Sequence, residues 1–393
     1  MKYNFDEPIN RENTASLKYD IRKEKFGNAD VIPMWVADMD FRTPDFIVDS
    51  LEKCTENDIF GYFLITKSYY ESIINWVKRH HQWNIKQDWI SFSPGVVPSL
   101  SLSVLAFTKP GDKIIVQPPV YHPFFFVIKD NGRQVVENPL VLNNGRYTID
   151  FNDLENKLKD VKILFLSNPQ NPGGTVWRRE ELKQLGELCL KQNVLVVADE
   201  IHSDLVFKPN TFIPLASISD EIADNTITFI SSSKTFNMAG LSSSSVIISN
   251  KKLKEKFDEV MHTIHVGLGN MFGIAATEAA YTNGDEWLQQ LLEYVSGNID
   301  FVENYIKERI PKIRMIRPEG TYLIWLDCRQ LNLKGDELNK FFIEKANIGM
   351  NDGRTFGTGG EGFMRLNVAC QRKIIEKALW NIENAVKYKF HES

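Results

Sequence analysis

The stretch KILFLSNPQNPGGTVWRREELKQLGELCLKQNVLVVAD (162–199) decides the fold. It begins with the apolar run KILFLS (162–167) and ends with a second one, VLVVAD (194–199). Between them, EELKQLGELCLKQ (180–192) has apolar residues at helical spacing. The order strand, helix, strand predicts one βα unit of a parallel sheet.

The same pattern extends over residues 89 to 250. Its other short apolar runs are WISFS (89–93), KIIVQ (113–117), ITFISS (227–232) and SVIIS (245–249). We therefore predict an α/β fold, with a mostly parallel sheet flanked by helices. In such sheets ligands bind beyond the carboxyl ends of the strands, so the polar residues that follow these runs are the candidates for chemistry.

After residue 285 the pattern changes to long amphipathic helices, a predicted strand PEGTYLIWLD (318–327) and a glycine-rich loop, GRTFGTGGEG (353–362). These features predict a second, smaller α+β domain. We place the large domain at 48–285 and form the small domain from 1–47 together with 286–393.

Composition excludes several classes of protein. The 393 residues carry a formal net charge of −5, with basic and acidic residues intermixed, so no nucleic-acid partner is expected. The N-terminus is polar and no apolar run approaches the roughly 20 residues that span a bilayer. Cys54, Cys189, Cys328 and Cys370 lie far apart without metal-ligand spacing. We expect reduced thiols, no metal site and a cytoplasmic protein.

Asp199 closes the run VLVVAD and is the first candidate for chemistry. A carboxylate in this position often caps a following helix. Alternatively, a buried carboxylate would keep the nitrogen of a pyridine-ring cofactor protonated. His202 follows closely, and a lone histidine of this kind is more often structural than functional.

Lys234 stands in SSSKTFNMAG (231–240), directly after another predicted strand. Most lysines are solvated surface charges. At a strand end, however, a buried amine with a lowered pKa is suited to form an imine. Ser231 and Ser233 would bind a phosphate beside it, unless they form an ordinary serine-rich turn.

A second candidate for phosphate binding is SPGVVPSL (93–100), at a predicted strand-to-helix turn. Gly95 permits a tight turn. The amides of Gly95, Val96 and Val97 would then face an anion at the positive end of the helix. The same pattern also occurs in many turns that bind nothing.

Three more residues join the candidate site. Asn171 lies in the turn-rich SNPQNPGGTV (167–176) and would bond a ring oxygen of the cofactor. Tyr121 would stack on the ring, although an aromatic residue after a strand is usually part of the core. Arg365 is embedded in apolar residues, which requires a partner anion. That partner is either a substrate carboxylate or a structural ion pair.

The order Tyr121, Asn171, Asp199, Lys234, Arg365 resembles the aspartate aminotransferase family of pyridoxal 5'-phosphate (PLP) enzymes, fold type I. The resemblance covers nearly the whole chain, and NPQNPGGTV and SSSKTFNMAGL are its specific motifs. It implies a seven-stranded sheet in the large domain and PLP held as a Schiff base on Lys234.

The resemblance also assigns roles. Lys234 and Tyr121 are implied to be catalytic, His202 takes a place usually held by a tyrosine, and the substrate contacts Arg365 and Ala37. The family further implies a homodimer with shared active sites, in which Tyr62 reaches the neighbour's phosphate.

Within the family, four segments resemble the cystathionine β-lyase, or cysteine–sulfur lyase, subgroup. These are RENTASLKYD (11–20), MWVADMDF (34–41), PEGTYLIWLD and NDGRTFGTGGEGFMRLN (351–367). Many transaminases of the family carry a phosphate-binding arginine eight residues after the lysine, where this chain has Ser242. No arginine occurs between Arg179 and Arg309, which disfavours a dicarboxylate transaminase.

The resemblance therefore implies a PLP-dependent β-elimination on a small sulfur amino acid, such as cystathionine, that releases a thiol, pyruvate and ammonia. An aminotransferase shares every step up to the carbanion and remains the alternative. A third hypothesis is a regulatory protein that retains the PLP site and acts through protein contact.

Overall fold

A computed structural model describes residues 2–56 and 58–391. The strands are β1 (Ile32–Pro33), β2 (Ile90–Ser93), β3 (Lys113–Val116), β4 (Gln134–Glu137), β5 (Val141–Asn143), β6 (Arg146–Thr148), β7 (Val161–Ser167), β8 (Leu195–Asp199), β9 (Thr226–Ile230), β10 (Ser244–Ile247), β11 (Arg314–Ile316), β12 (Leu323–Asp327), β13 (Ile348–Gly349), β14 (Asn351–Asp352) and β15 (Phe363–Asn367).

The α-helices are α1 (Arg22–Phe26), α2 (Asp45–Thr55), α3 (Lys67–His81), α4 (Val96–Phe107), α5 (Pro123–Asp130), α6 (Phe151–Lys157), α7 (Arg179–Lys191), α8 (Asp220–Asp224), α9 (Ser232–Thr235), α10 (Lys251–Thr263), α11 (Met271–Asn283), α12 (Asp285–Arg309), α13 (Asp336–Lys340) and α14 (Arg372–His391).

The central sheet has seven strands in the order β2-β10-β9-β8-β7-β3-β4. Its strands are parallel except β10, which runs antiparallel to both of its neighbours. The α/β prediction with a mostly parallel, seven-stranded sheet is confirmed. Every apolar run that predicted a strand in residues 89–250 lies in this sheet.

Helices cover both faces of the sheet. Along β7, Leu164 and Leu166 pack into the core cluster that contains the buried face of α7. Ile163 and Phe165 point to the opposite face and pack with residues of α4 and α10. A strand buried on both sides is apolar at successive positions, which explains why KILFLS does not alternate.

The remaining strands and helices include a four-stranded antiparallel sheet in the order β11-β12-β15-β14. Strand β1, near the N-terminus, pairs in parallel with β13. This pairing supports our proposed small domain of 1–47 with 286–393. None of the helices in the described residues is both long and apolar enough to cross a bilayer.

One predicted strand is shorter than expected. PEGTYLIWLD forms β12 only from Leu323, because the preceding residues bond to distant loops. The amides of Glu319 and Gly320 donate to Gly174 O, and the amide of Thr321 donates to Leu205 O. These contacts with the large sheet's loops replace the ladder that an extended strand would need.

Candidate active site

A cavity of about 200 Å³ lies beyond the carboxyl ends of β7 and β8 and beside the start of α4. Its position agrees with the expectation for an open α/β sheet. The residues that line it are Ala37, Gly95, Val96, Val97, Pro98, Tyr121, Ser167, Asn171, Asp199, Ile201, His202, Ser233 and Lys234. The cavity thus brings together ten of the residues that the sequence singled out.

Lys234 lies in α9, one turn beyond the end of β9, and its partly buried side chain lines the cavity. Its Nζ donates a hydrogen bond to Ala37 O over 2.7 Å. Burial lowers the pKa of Lys234 to about 8, the charge of Asp38 opposes that shift, and the charge of Arg365 adds to it. The free amine is therefore accessible near neutral pH, as a nucleophile or base requires.

Asp199 is buried at the end of β8. Its Oδ1 accepts a hydrogen bond from the amide of Ile201 over 3.1 Å. Residues 201–204 form turns, so the alternative interpretation of Asp199 as the cap of a following helix is wrong. Burial raises the pKa of Asp199 to about 6. A cationic ring nitrogen placed here would stabilise the carboxylate.

His202 is buried beside Asp199, and its Nδ1 has no hydrogen-bond partner among the described residues. Burial, with smaller contributions from the positive charges of Lys234 and Arg365, lowers the pKa of His202 to about 3. The ring is therefore neutral.

Arg365, on β15, makes hydrogen bonds only to neutral oxygens. Its guanidinium donates to Asn171 Oδ1 (3.1 Å), Trp35 O (2.9 Å) and Asn351 Oδ1 (2.8 Å). No carboxylate of the described residues forms an ion pair with it, so the structural ion pair that the sequence left open is wrong. Burial lowers its pKa to about 10, which leaves it charged at neutral pH. Its charge has no anionic partner among the described residues, so an external carboxylate would complement it.

The start of α4 forms the wall opposite these groups. Gly95 is its N-cap, with φ +154°, a conformation that residues with a side chain rarely adopt. The first amides of a helix have no acceptor within that helix, and they lie at its positive end. Val96 and Val97 line the cavity at this end of α4, and their predicted role in binding an anion is consistent with that position.

A family model described as "Aminotransferase class I and II" matches residues 29–382. The chain belongs to this family. Cystathionine β-lyase PatB of Bacillus subtilis (strain 168) is 43% identical over 385 residues, which cover 98% of this chain and all of the relative. The match places the chain in the cystathionine β-lyase subgroup, as the sequence motifs predicted.

Two solved structures of the family extend the comparison. A PLP-bound protein from Clostridium difficile 630, provisionally named an aminotransferase, is 47% identical with a TM-score of 0.96, covering 98% of this chain and 100% of the other. The PLP-bound C–S lyase from Staphylococcus hominis is 33% identical with a TM-score of 0.92, covering 98% of both chains.

Some predicted site residues lie outside the cavity wall. Ser231 Oγ accepts from the amide of Ser233 (3.1 Å) and lies 2.8 Å from Ser243 O, so it caps α9 and does not line the cavity. Tyr62 is fully exposed. Arg365 borders the cavity through its bond to Asn171. Their roles in this family member stay predictions.

Sequence reasoning missed three residues of the wall: Pro98, Ser167 and Ile201. Ser167 is the last residue of β7, and its Oγ accepts the amide of Asn171 over 3.3 Å. A systematic reading of every strand end would have found it. Ile201 carries no chemical signal, because an aliphatic side chain beside a ring is indistinguishable in sequence from one in the core.

Proposed function

We propose that this protein is a PLP-dependent carbon–sulfur β-lyase that cleaves L-cystathionine or a related cysteine S-conjugate to a thiol, pyruvate and ammonia. The observation that carries the proposal is that a partly buried Lys234 and a buried Asp199 line one cavity, in a chain 43% identical over 98% of its length to a cystathionine β-lyase. The family is PLP-dependent, and the solved relatives hold PLP.

The groups on the cavity wall fit PLP. The amides of Val96 and Val97 and the side chain of Ser233 would hold its phosphate, without the arginine that Ser242 replaces. Asp199 is a buried carboxylate without an ion-pair partner among the described residues, which suits a protonated pyridine nitrogen. Asn171 would bond the ring oxygen.

Two more side chains would hold the ring. Tyr121 lines the cavity and would lie against the ring face. Its hydroxyl stays protonated, because burial raises its pKa. The neutral His202 would lie beside the pyridine ring of PLP and form a hydrogen bond with it, as donor or acceptor.

PLP, when bound, supplies an electron sink that stabilises negative charge at the substrate α-carbon. Arg365 binds the substrate α-carboxylate and thereby orients the Cα–H bond, with Ala37 beside it. Lys234, whose pKa is lowered to about 8, takes the proton from Cα as a general base. A thiolate then leaves Cβ, and the released aminoacrylate reacts with water to give pyruvate and ammonia.

The test is to mix the purified protein with L-cystathionine, without any keto acid, and to quantify pyruvate and free thiol. Catalytic amounts of both support the lyase. An aminotransferase is the second candidate, since the family model and the relative from C. difficile carry that name. It would form neither product and would turn over only when a keto acid is supplied.

We further propose a cytoplasmic homodimer with shared active sites. The described cysteines are all free thiols, three of them buried, which supports a reducing compartment. Exposed apolar side chains cluster in one segment, at Ile59, Phe60, Tyr62 and Leu64, which supports a partner surface there. Tyr62 of one subunit would then reach the phosphate held by the other.

A further inference from the structure

An irregular segment, residues 35–41, lies against the active site and is held by side chains from distant parts of the chain. Each of its seven carbonyl oxygens accepts at least one side-chain hydrogen bond. Asn237, three residues after Lys234, donates to two of them, and Asn367, two residues after Arg365, donates to two others. The position of the 35–41 segment is thus tied to both elements that carry the site.

Two of these carbonyls contact the proposed site residues directly. Trp35 O accepts from Arg365 Nη2 over 2.9 Å. Ala37 O accepts from Lys234 Nζ over 2.7 Å and from the hydroxyl of Tyr322 over 2.9 Å. A shift of the 35–41 segment would therefore move the partners of the arginine and of the amine together.

A group of four charged side chains also fixes this segment. Arg11 lies 2.7 Å from a carboxylate oxygen of Asp38 and 2.7 Å from one of Asp40, and it also donates to Met39 O between them. Lys18, which is 1% exposed, lies 2.7 Å from the other oxygen of Asp40. Two cations and two anions balance, as buried charges must.

The same group sets a charge near the amine. The charged groups that act on Lys234 are Asp38, Arg365 and Asp199, and Asp38 has the largest effect of the three. The neutral His202 also faces it. Arg11 lies 2.7 Å from one carboxylate oxygen of Asp38, and Lys18 lies 3.7 Å from the other. Because Arg11 makes the closer contact, its positive charge offsets the larger part of the negative charge that Lys234 experiences.

We propose that Arg11 is a positioning residue for the proposed reaction: it fixes the 35–41 segment, whose carbonyls hold Arg365 and Lys234, and it screens the charge of Asp38. This inference rests on the proposed function. It also explains why RENTASLKYD and MWVADMDF occur together, since the first supplies the cations of the group and the second supplies the anions.

The test compares Arg11→Met and Asp38→Asn in the PLP-loaded protein. The readout is the midpoint pH at which the visible absorbance of the bound cofactor changes, together with KM and kcat for L-cystathionine. Arg11→Met removes the positive charge beside Asp38. The midpoint pH of the cofactor absorbance in this variant should therefore rise by roughly one pH unit. Asp38→Asn removes that anion, so its midpoint should fall by a similar amount.

Two further variants separate charge from geometry. Arg11→Lys keeps the charge but loses the two-pronged contact, so its midpoint pH should lie close to that of the unmodified protein. KM should rise in both Arg11 variants, because both loosen the 35–41 segment, whose Trp35 O holds Arg365. Arg42→Met removes an exposed arginine that pairs with Glu7 next to the same segment, and it should leave the midpoint and KM unchanged.

The inference is overturned if the midpoint pH shifts in the same direction in Arg11→Met and Asp38→Asn, or if it shifts in neither. If Arg11→Met does not fold, Arg11→Lys decides: a raised KM at an unchanged midpoint pH supports the inference, and an unchanged KM overturns it. The proposed function fails separately, if the unmodified protein acquires no visible absorbance with PLP. Normal absorbance and turnover with unshifted variants overturn only the role of Arg11.

Discussion

Arg365 Nη1 donates a hydrogen bond to Asn171 Oδ1 over 3.1 Å, which joins the proposed carboxylate-binding residue to a proposed cofactor-binding one. The other partners of the guanidinium are also neutral oxygens. A buried cation satisfied only by neutral groups retains its attraction for an anion. The contact therefore positions a charged, pre-oriented arginine at the edge of the cavity.

Arg365→Lys should raise KM for L-cystathionine by about tenfold or more, because lysine keeps the charge but cannot form the paired hydrogen bonds of a guanidinium. Steady-state kinetics provide the measurement. Arg133→Lys is a matched control, since Arg133 is a buried arginine that also bonds neutral oxygens, those of Thr108. An equal rise in KM in the control would contradict the assignment.

Lys234→Ala should abolish both turnover and the visible absorbance of the bound cofactor. The loss of a general base alone costs at least about a hundredfold in rate. Absorbance spectra and the pyruvate assay provide the measurements. Lys252→Ala, an exposed lysine of α10, should match the unmodified protein. A coloured and active Lys234→Ala variant would remove the basis of the proposed function.

The large sheet could be predicted because its inner strands are buried on both faces and rich in β-branched and other apolar residues. Strand β4 was not predicted from the sequence, since QVVE is a short, half-buried edge strand with little apolar character. The reversed direction of β10 leaves no local signal either, because Ser245 and Val246 pair with their neighbours through long-range contacts. The resemblance to a family supplied the number of strands that the local pattern could not.

The candidate site was predictable where polar residues end strands, as Asp199 does, or follow them closely, as Lys234 does. The partner of Arg365 was not predictable, because Trp35, Asn171 and Asn351 reach it from distant parts of the chain. The same reason hid the charges around the 35–41 segment. Local sequence patterns predict which residues are buried and where turns occur, whereas these contacts depend on how distant elements pack.

The stabilisation of the protein by PLP should increase as pH rises through about 6. Burial raises the pKa of Asp199 from 3.8 to about 6, so between these values the folded cofactor-free protein binds a proton that the unfolded chain has lost. Its stability therefore falls as pH rises through that window. A protonated ring nitrogen would compensate the carboxylate that forms.

The measurement is the rise in Tm on adding PLP, at about pH 5 and at about pH 7.5. Asp199→Asn should show a smaller difference between the two, since its side chain does not titrate. Glu200, whose pKa burial raises to about 8, titrates in both proteins and cancels in the comparison. Equal pH dependence in the variant would show that Asp199 does not pair with the cofactor.

Tyr62→Ala should lower turnover by about tenfold or more, through loss of a phosphate contact made across the subunit interface. Tyr62 is 100% exposed in the single chain and lies outside the cavity, so it cannot serve the site of its own subunit in this arrangement. Refolding this variant together with Lys234→Ala should form hybrid dimers in which one site has both residues. Recovery should reach up to about a quarter of the unmodified activity.

The matched control is the mixture of Lys234→Ala with Arg365→Met. Both residues border the cavity of one chain, so neither site of a hybrid dimer has the intact pair, and no activity should return. Recovery in the first mixture and none in the second would establish that Tyr62 acts in the neighbouring site. Failure of both mixtures would mean that each subunit carries a complete site, and that the exposed segment around Tyr62 has another purpose.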